Sequence, residues 1–225
     1  MLGPAIGDLL PIGVGVALSP IPVIMVILVL STPRARTNGP AFALGWVVGL
    51  VAVAALAYAV GSSASDPDSG SSTLADVVRV VLGLLFFALA VKQWRSRPAP
   101  GTEAELPAWM SSVDQLTPAK TLGGGLALSA ANPKNLALTI AATATVVQAD
   151  LGGGDAAIAL GVFVLVGSIS VLGAVVANLV AAERVAQPLA VVKGFMSQNN
   201  AVIMMVVLAL LGTKMLGQGL GSLLA

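Results

Sequence analysis

Cysteine and histidine are both absent from this chain of 225 residues. Without cysteine the chain has no disulfide, thiolate metal site or thiol relay, and without histidine it has no imidazole proton shuttle or histidine-ligated metal. Charged residues are also scarce, at 9% of the chain against about 25% in a typical soluble domain. This shortage excludes a soluble enzyme, a nucleic-acid-binding protein and a disordered chain. We expect no cofactor and no metal, and the Ser–His pair or paired carboxylates of an intramembrane enzyme are missing.

Apolar residues, in contrast, make up 57% of the chain, and its mean hydropathy is +0.97. A helix crosses a bilayer with about 20 apolar residues. Six segments meet this requirement: 7–30, 40–61, 74–94, 121–147, 156–182 and 198–219. The third is the weakest, since Asp76 and Arg79 lie in its first turns, from which their side chains can extend to the membrane surface. The composition therefore predicts an all-α integral membrane protein with six transmembrane helices.

The charges predict the orientation of these six helices. Loops after the first, third and fifth helices carry eight basic and four acidic residues, whereas the opposite side carries two basic and six acidic ones. Because basic loops are retained in the cytoplasm, both termini are predicted outside a plasma (inner) membrane. Residues 95–120 then form a cytoplasmic loop, in which Leu106, Trp109, Met110, Val113 and Leu116 recur at near-helical spacing. This spacing fits a short helix on the inner membrane surface or a solvated loop.

Two similar segments begin the two halves of the chain. GVGVALS at 13–19 and GGGLALS at 123–129 are identical at five of seven positions, at an offset of 110 residues. Each copy opens a three-helix half, and because three is odd the second half must lie inverted in the membrane. We therefore expect a first repeat over 1–94 and an inverted repeat over 121–225. Chance matching in a chain rich in Gly, Ala and Leu is the alternative.

Proline follows both copies of this motif. Pro20 comes directly after Ser19, and Pro133 follows the second copy within a few residues. Proline removes a backbone donor from a helix, and both positions lie near mid-membrane. The pattern predicts that the first helix of each repeat is broken there, as a simple kink or as part of a shared central site. The predicted substrate-binding residues are Ser19, Pro20, Pro22, Ser129, Asn132, Pro133, Lys134 and Asn135.

Lys134 is the one ionisable residue well inside a predicted helix. A lysine at that depth costs about 2.5–3.5 kcal/mol, which favours a functional role. Asn132 and Asn135 flank it and offer carbonyl acceptors for its ammonium group. Its expected partner is an anionic headgroup (phosphate, sulfate or carboxylate) or a proton. Gly45 and Gly49, in contrast, have the spacing of close helix packing.

Six short segments carry a resemblance to a known family: ALSPIPV at 17–23, STPRARTNG at 31–39, AFALGW at 41–46, PAWM at 107–110, LTPAK at 116–120 and ANPKNL at 131–136. Together they resemble the mycobacterial glycolipid-addressing proteins (Gap and Sap proteins, including the sulfolipid-1-addressing type). That family is placed in the lysine-exporter (LysE) superfamily, which implies six helices in two three-helix repeats. The resemblance covers nearly the whole chain and implies an inner-membrane protein that helps to move envelope glycolipids toward the surface.

The leading functional hypothesis is an exporter or flippase of an anionic lipid or glycolipid that alternates access around the two broken helices. A LysE-type exporter of small, amino-acid-like solutes is the first alternative. The second is an accessory subunit of a glycolipid export complex without transport activity of its own. Expected partners are membrane lipids and the lipid substrate, together with other envelope-export proteins or a second copy of this chain, but no nucleic acid.

Overall fold

The computed structural model describes residues 2–63, 71–97, 113 and 115–224. Its elements are α1 (Leu2–Ala17), α2 (Pro20–Leu30), α3 (Ala35–Ser63), α4 (Ser71–Arg95), α5 (Pro118–Leu126), a π-helical turn (Ala127–Ala131), α6 (Pro133–Gln148) and α7 (Gly153–Leu223). Helix is thus the only regular structure in the described part of the chain, as the composition predicts. The predicted surface helix between 97 and 118 falls mostly on residues outside the described ranges.

Some of these helices are long and apolar enough to cross a membrane. Among the described residues they are Ala35–Ser62 and Gly153–Leu223, and the pair α1–α2 is a third candidate if its two helices, bent by 55°, count as one span. The structure therefore supports a helical membrane protein. Six crossings remain a prediction.

Helix α7 differs from the sequence-based expectation of a loop between the fifth and sixth spans. It covers 71 residues as two helices joined at a kink, about 40 Å and about 60 Å long at the usual rise, and each is longer than the hydrocarbon thickness of a bilayer. A single residue, Ala181, has non-helical backbone angles (φ −147°, ψ 53°) and divides it into α7a (153–180) and α7b (182–223). The loop predicted from the charges at 183–197 is therefore wrong: these residues are helical, although Pro188 lies among them and disfavours a helix interior.

The two parts of α7 run in opposite directions along α1. Residues 13–17 of α1 lie beside residues 163–170 of α7a in the same order. Residues 8–15 of α1 lie beside residues 207–214 of α7b in the reverse order. The chain therefore folds back on itself between these two contacts, and the non-helical residue Ala181 lies between them.

Helix α3 packs closely on α5 because both contribute glycine to the contact. A Cβ atom at Gly45 would lie 2.0 Å from the carbonyl oxygen of Leu122, and one at Gly125 would lie 2.2 Å from that of Phe42. A Cβ at Gly49 would lie 2.0 Å from Ser129 Oγ. No side chain fits in these gaps, so the prediction of close packing at Gly45 and Gly49 is confirmed. Asn38 lies beside Leu116, Gly45 beside Leu122 and Gly49 beside Ser129, so residue numbers increase in the same order and α3 runs parallel to the segment that contains α5.

Helix α4 lies along α7b in the opposite direction, with residues 76–87 beside residues 212–222 in reverse order. This contact covers Asp76, which is only 5% exposed. Its carboxylate pairs with Arg79 at 2.9 Å and accepts a hydrogen bond from Ser222 Oγ at 2.6 Å. Helix α7b therefore covers Asp76, and Arg79 and Ser222 are the partners of its carboxylate. Its position relative to the membrane surface stays a prediction.

A second ionic contact joins α1 and α7b near the same end. Lys214 Nζ lies 3.2 Å from Asp8 Oδ1, and it also donates to the backbone carbonyl of Asp8. Because α4 and α1 both run opposite to α7b, these two helices are parallel. Helix α3 runs opposite to α7a, since Gly39 and Leu50 of α3 lie beside Val175 and Gly167 in reverse order. Successive segments therefore alternate in direction along the chain.

Candidate transport site at the two helix breaks

The first break lies at Ser19–Pro20, where the sequence predicts it. Helix α1 ends at Ala17, and Ser19 is the extended N-cap of α2 (φ −77°, ψ 109°). Pro20 has no N–H and cannot donate to the preceding turn. The last carbonyl groups of α1 therefore need partners from elsewhere, because an unpaired buried carbonyl is costly.

Side chains from two other helices supply those partners. Lys134 Nζ, on α6, donates to the carbonyl oxygen of Gly15 at 2.7 Å. Ser170 Oγ, on α7a, donates to the carbonyl oxygen of Ala17 at 2.7 Å. The end of α1 is thus bound to α6 and to α7a by hydrogen bonds that an unbroken helix could not make.

The second break lies at Asn132–Pro133. Asn132 is extended (φ −71°, ψ 117°), and its Oδ1 accepts a hydrogen bond from the backbone N–H of Lys134 at 3.0 Å, which caps α6. The sequence repeat pairs Ser19 with Ser129, but the break comes three residues after Ser129. The π-helical turn Ala127–Ala131 precedes the break. Such turns are rare and are frequently found at functional sites.

A continuous hydrogen-bond network connects the two breaks. Lys134 Nζ donates to Ser19 Oγ at 2.9 Å, and Ser19 Oγ donates to Asn135 Oδ1 at 2.9 Å. Asn135 Nδ2 then donates to the carbonyl oxygen of Leu128, just before the second break, at 3.0 Å. We call Ser19, Lys134 and Asn135 the central triad. Their exposed fractions are 2%, 7% and 0%, so these bonds replace solvation that burial removes.

The central triad accounts for three of the eight predicted site residues. Asn132 is half-buried and caps α6, while Ser129 Oγ donates to the carbonyl oxygen of Leu126 within its own helix at 3.0 Å. The three prolines begin the second helix of each broken pair: Pro20 and Pro22 are buried in α2, and Pro133 is exposed at the start of α6. The prolines shape the backbone and offer no hydrogen-bond donor.

The ammonium group of Lys134 lies at the carboxyl end of α1. The carbonyl ends of a helix carry partial negative charge, so this position favours a cation. In the described ranges, the only ion pairs are Arg79–Asp76 and Lys214–Asp8, and neither includes Lys134. Two of its three N–H donors are used by Gly15 and Ser19. Binding of an anionic headgroup by Lys134 stays a prediction.

Two residues of this site were missed by sequence reasoning. Gly15 contributes only its backbone carbonyl, and Ser170 looks like an ordinary small residue in an apolar helix. The sequence feature that could have indicated Gly15 is its identity with Gly125 in the repeat. The feature that could have indicated Ser170 is the presence of two hydroxyl side chains, Ser168 and Ser170, in the otherwise apolar helix α7a. Among the residues with described positions, no three acidic side chains come together in a way that could hold a metal ion.

Comparison with known proteins gives one match. No curated protein and no solved structure matches the chain. A family model described as "Sap, sulfolipid-1-addressing protein" matches residues 9–221, which includes both helix breaks and the whole central triad. The match covers far more than half of the chain, so this protein belongs to the sulfolipid-1-addressing (Sap) protein family.

Proposed function

We propose that this protein exports an anionic lipid or glycolipid across the plasma membrane by alternating access around the two helix breaks. The observation that carries this proposal is the hydrogen-bond network between the breaks at Ser19 and Asn132. Broken helices whose ends meet in a buried centre are the usual framework of a secondary transporter site. The family name adds the substrate class, since it refers to a sulfolipid.

The proposed topology has six crossings in two inverted three-helix halves, with both termini outside. It is supported by the alternating directions of α1–α2, α3, α4, α5–α6, α7a and α7b. In this arrangement α1–α2, which begins the first half, and α5–α6, which begins the second half, cross the membrane in opposite directions. An inverted repeat requires this difference. The excess of basic residues at the end that contains Arg34, Arg95 and Arg184 supports placing that end in the cytoplasm.

In the proposed mechanism, Lys134 holds the centre closed. Its ammonium group donates to Gly15 on one side of the first break and to Ser19 within it. Opening a path between leaflets separates α6 from the α1–α2 break and releases these donors. An anionic headgroup would then accept them, so that the cost of breaking two hydrogen bonds is offset by bonds to the substrate. In this mechanism the energy for transport comes from a gradient or from a partner.

The test is transfer of a labelled lipid between the leaflets of a liposome. Wild-type protein is reconstituted with a fluorescent sulfated glycolipid, and loss of fluorescence after addition of a membrane-impermeant quencher reports the outer leaflet. We expect Lys134→Met to reduce the transfer rate about tenfold or more, equivalent to about 1.4 kcal/mol in the barrier. Lys120→Met, which removes the same charge at an exposed position, is the matched control and should transfer at the wild-type rate.

Two results would contradict the proposal: no transfer by the wild-type protein above empty liposomes, or equal transfer by the Lys134→Met protein. Folding of each variant is checked by its elution as a single species and its thermal unfolding. A Lys134→Arg variant tests whether transfer depends on the positive charge alone or also on the shape of the charged group. It keeps the cation but replaces a compact ammonium by a planar guanidinium.

An accessory role in a larger export complex is the second candidate function. The observation in its favour is that the central triad satisfies its own hydrogen bonds, as a purely structural network would. Expression of Lys134→Met in cells that lack the native protein discriminates between the two. Lost surface glycolipid with normal complex assembly favours transport by this chain, whereas parallel loss of assembly favours the accessory role.

A further inference from the structure

A cavity of about 390 Å³ lies away from the central triad, at the end of α2 and beside the bend in α7. Its walls come from Leu30 and Ser31, at the end of α2, and from α7 on both sides of Ala181. Small-molecule sites typically have volumes of about 300–1,000 Å³. The cavity is therefore large enough for one or two sugar rings.

Asn178 is the buried polar side chain that lines this cavity. It is only 8% exposed. Its side-chain amide makes no hydrogen bond to any residue in the described part of the chain. Its amide atoms are reached from the cavity, so both its donor and its acceptor are free to bind a ligand there.

The other polar groups of the cavity favour an uncharged ligand with several hydroxyl groups. Ser31 Oγ donates to the carbonyl oxygen of Ile27 at 2.8 Å and keeps its lone pairs free to accept. Glu183 adds a carboxylate, which accepts hydrogen bonds from hydroxyls and repels sulfate or phosphate. Leu30 and Leu189 form an apolar part of the cavity wall, against which the C–H faces of a sugar ring can pack.

We propose that this cavity binds the uncharged sugar part of a glycolipid, with Asn178 as the central hydrogen-bonding residue and Glu183 as the group that excludes acidic substituents. This inference rests on the proposed function, because it names a second contact for the same substrate class.

The test uses photo-crosslinking in nanodiscs of phosphatidylcholine. The probe is dodecyl glucoside with a diazirine on its sugar, and labelled peptides are mapped by mass spectrometry. We expect labelling within 30–31 and 178–189, reduced about tenfold by Asn178→Leu. The matched control is Asn199→Leu on the same helix, whose side chain donates to the carbonyl of Phe195 and does not line the cavity. It should be labelled as strongly as the wild type.

Competition with unlabelled compounds tests whether the cavity prefers a lipid-linked sugar to a free sugar. It also tests whether Glu183 excludes an acidic group. Unlabelled dodecyl glucoside should compete well, free glucose weakly, and dodecyl phosphate hardly at all. Glu183→Gln should make dodecyl phosphate a competitor about tenfold better than it is against the wild type. Equal competition by free glucose overturns the glycolipid assignment, and strong competition by dodecyl phosphate against the wild type overturns the role of Glu183.

Labelling that is unaffected by Asn178→Leu, or that is spread evenly over the lipid-facing helices, overturns the sugar site itself. This failure can be told apart from failure of the proposed function. Liposome transfer that depends on Lys134 without sugar labelling refutes only the sugar site. Sugar labelling without any liposome transfer refutes only the transport proposal.

Discussion

The bond between Lys134 and Ser19 predicts an energetic coupling that a double-mutant cycle can measure. Lys134→Met removes two hydrogen bonds, to Gly15 and to Ser19. Ser19→Ala removes the shared bond with Lys134 and also the bond to Asn135. Because one bond is lost in both single variants, the double variant should be less destabilised than the sum of the two.

The expected size follows from hydrogen bonds between helices in membranes, which contribute about 0.6 kcal/mol on average and about 1.7 kcal/mol at most. Two lost bonds give each single variant a loss of about 1–3 kcal/mol in the free energy of unfolding. The shared bond gives a coupling of about 1 kcal/mol. This is large enough to detect, because independent sites add to within about 0.3–0.5 kcal/mol.

The measurement is reversible unfolding in mixed micelles, followed by circular dichroism, for the wild type, both single variants and the double variant. A control cycle combines Lys134→Met with Ser222→Ala, whose hydroxyl bonds Asp76 at the far end of α7b. This control pair should be additive. Additivity of Lys134→Met with Ser19→Ala would refute the central triad, since the two side chains would then not share a bond.

Three further predictions follow from the packing. Gly125→Ala should lower the free energy of unfolding by about 1–3 kcal/mol, because its Cβ would meet backbone, whereas Gly123→Ala on the same helix meets nothing within 4 Å and should unfold like the wild type. Asp76→Asn should lower that free energy by about 1–2 kcal/mol in the same assay, through the weakened ion pair and hydrogen bond of its carboxylate; an unchanged value would mean that the buried pair contributes nothing. The chain has no cysteine, so Ser62→Cys and Ser96→Cys give two clean labelling sites. A membrane-impermeant maleimide should label the first only from outside and the second only from the cytoplasmic side, and labelling of both from one side would contradict the orientation.

Much of the fold could be predicted from hydropathy and proline positions alone. A long apolar run forces a helix in a membrane, because every backbone group must be satisfied within the chain. The breaks before Pro20 and Pro133 follow from the missing proline N–H. The continuation of α7 through 183–197 could not be predicted, because Pro188 and Gly194 are poor helix formers and favour a loop there.

The sequence named the three residues of the central triad but not their contacts; their role in transport stays a prediction. Lys134 was found because a lysine deep in an apolar helix is costly and therefore conspicuous. Its partners Gly15 and Ser19 lie more than 110 residues earlier in the chain. No spacing rule connects residues at that separation, and the acceptor of Gly15 is a backbone atom that every residue possesses. The sequence could name the donor but not its acceptors.

The sequence by itself determined that this chain is a helical membrane protein, where its helices break and which buried charge needs an explanation. These conclusions are local, because they depend on the cost of exposing polar groups to hydrocarbon and on the backbone chemistry of proline. Only the tertiary structure decided that Lys134 is held by the end of α1, that Asp76 is buried under α7b, and that Asn178 faces a cavity without a partner. Those facts depend on which helices lie side by side, and helix packing is set by the summed contacts of distant segments.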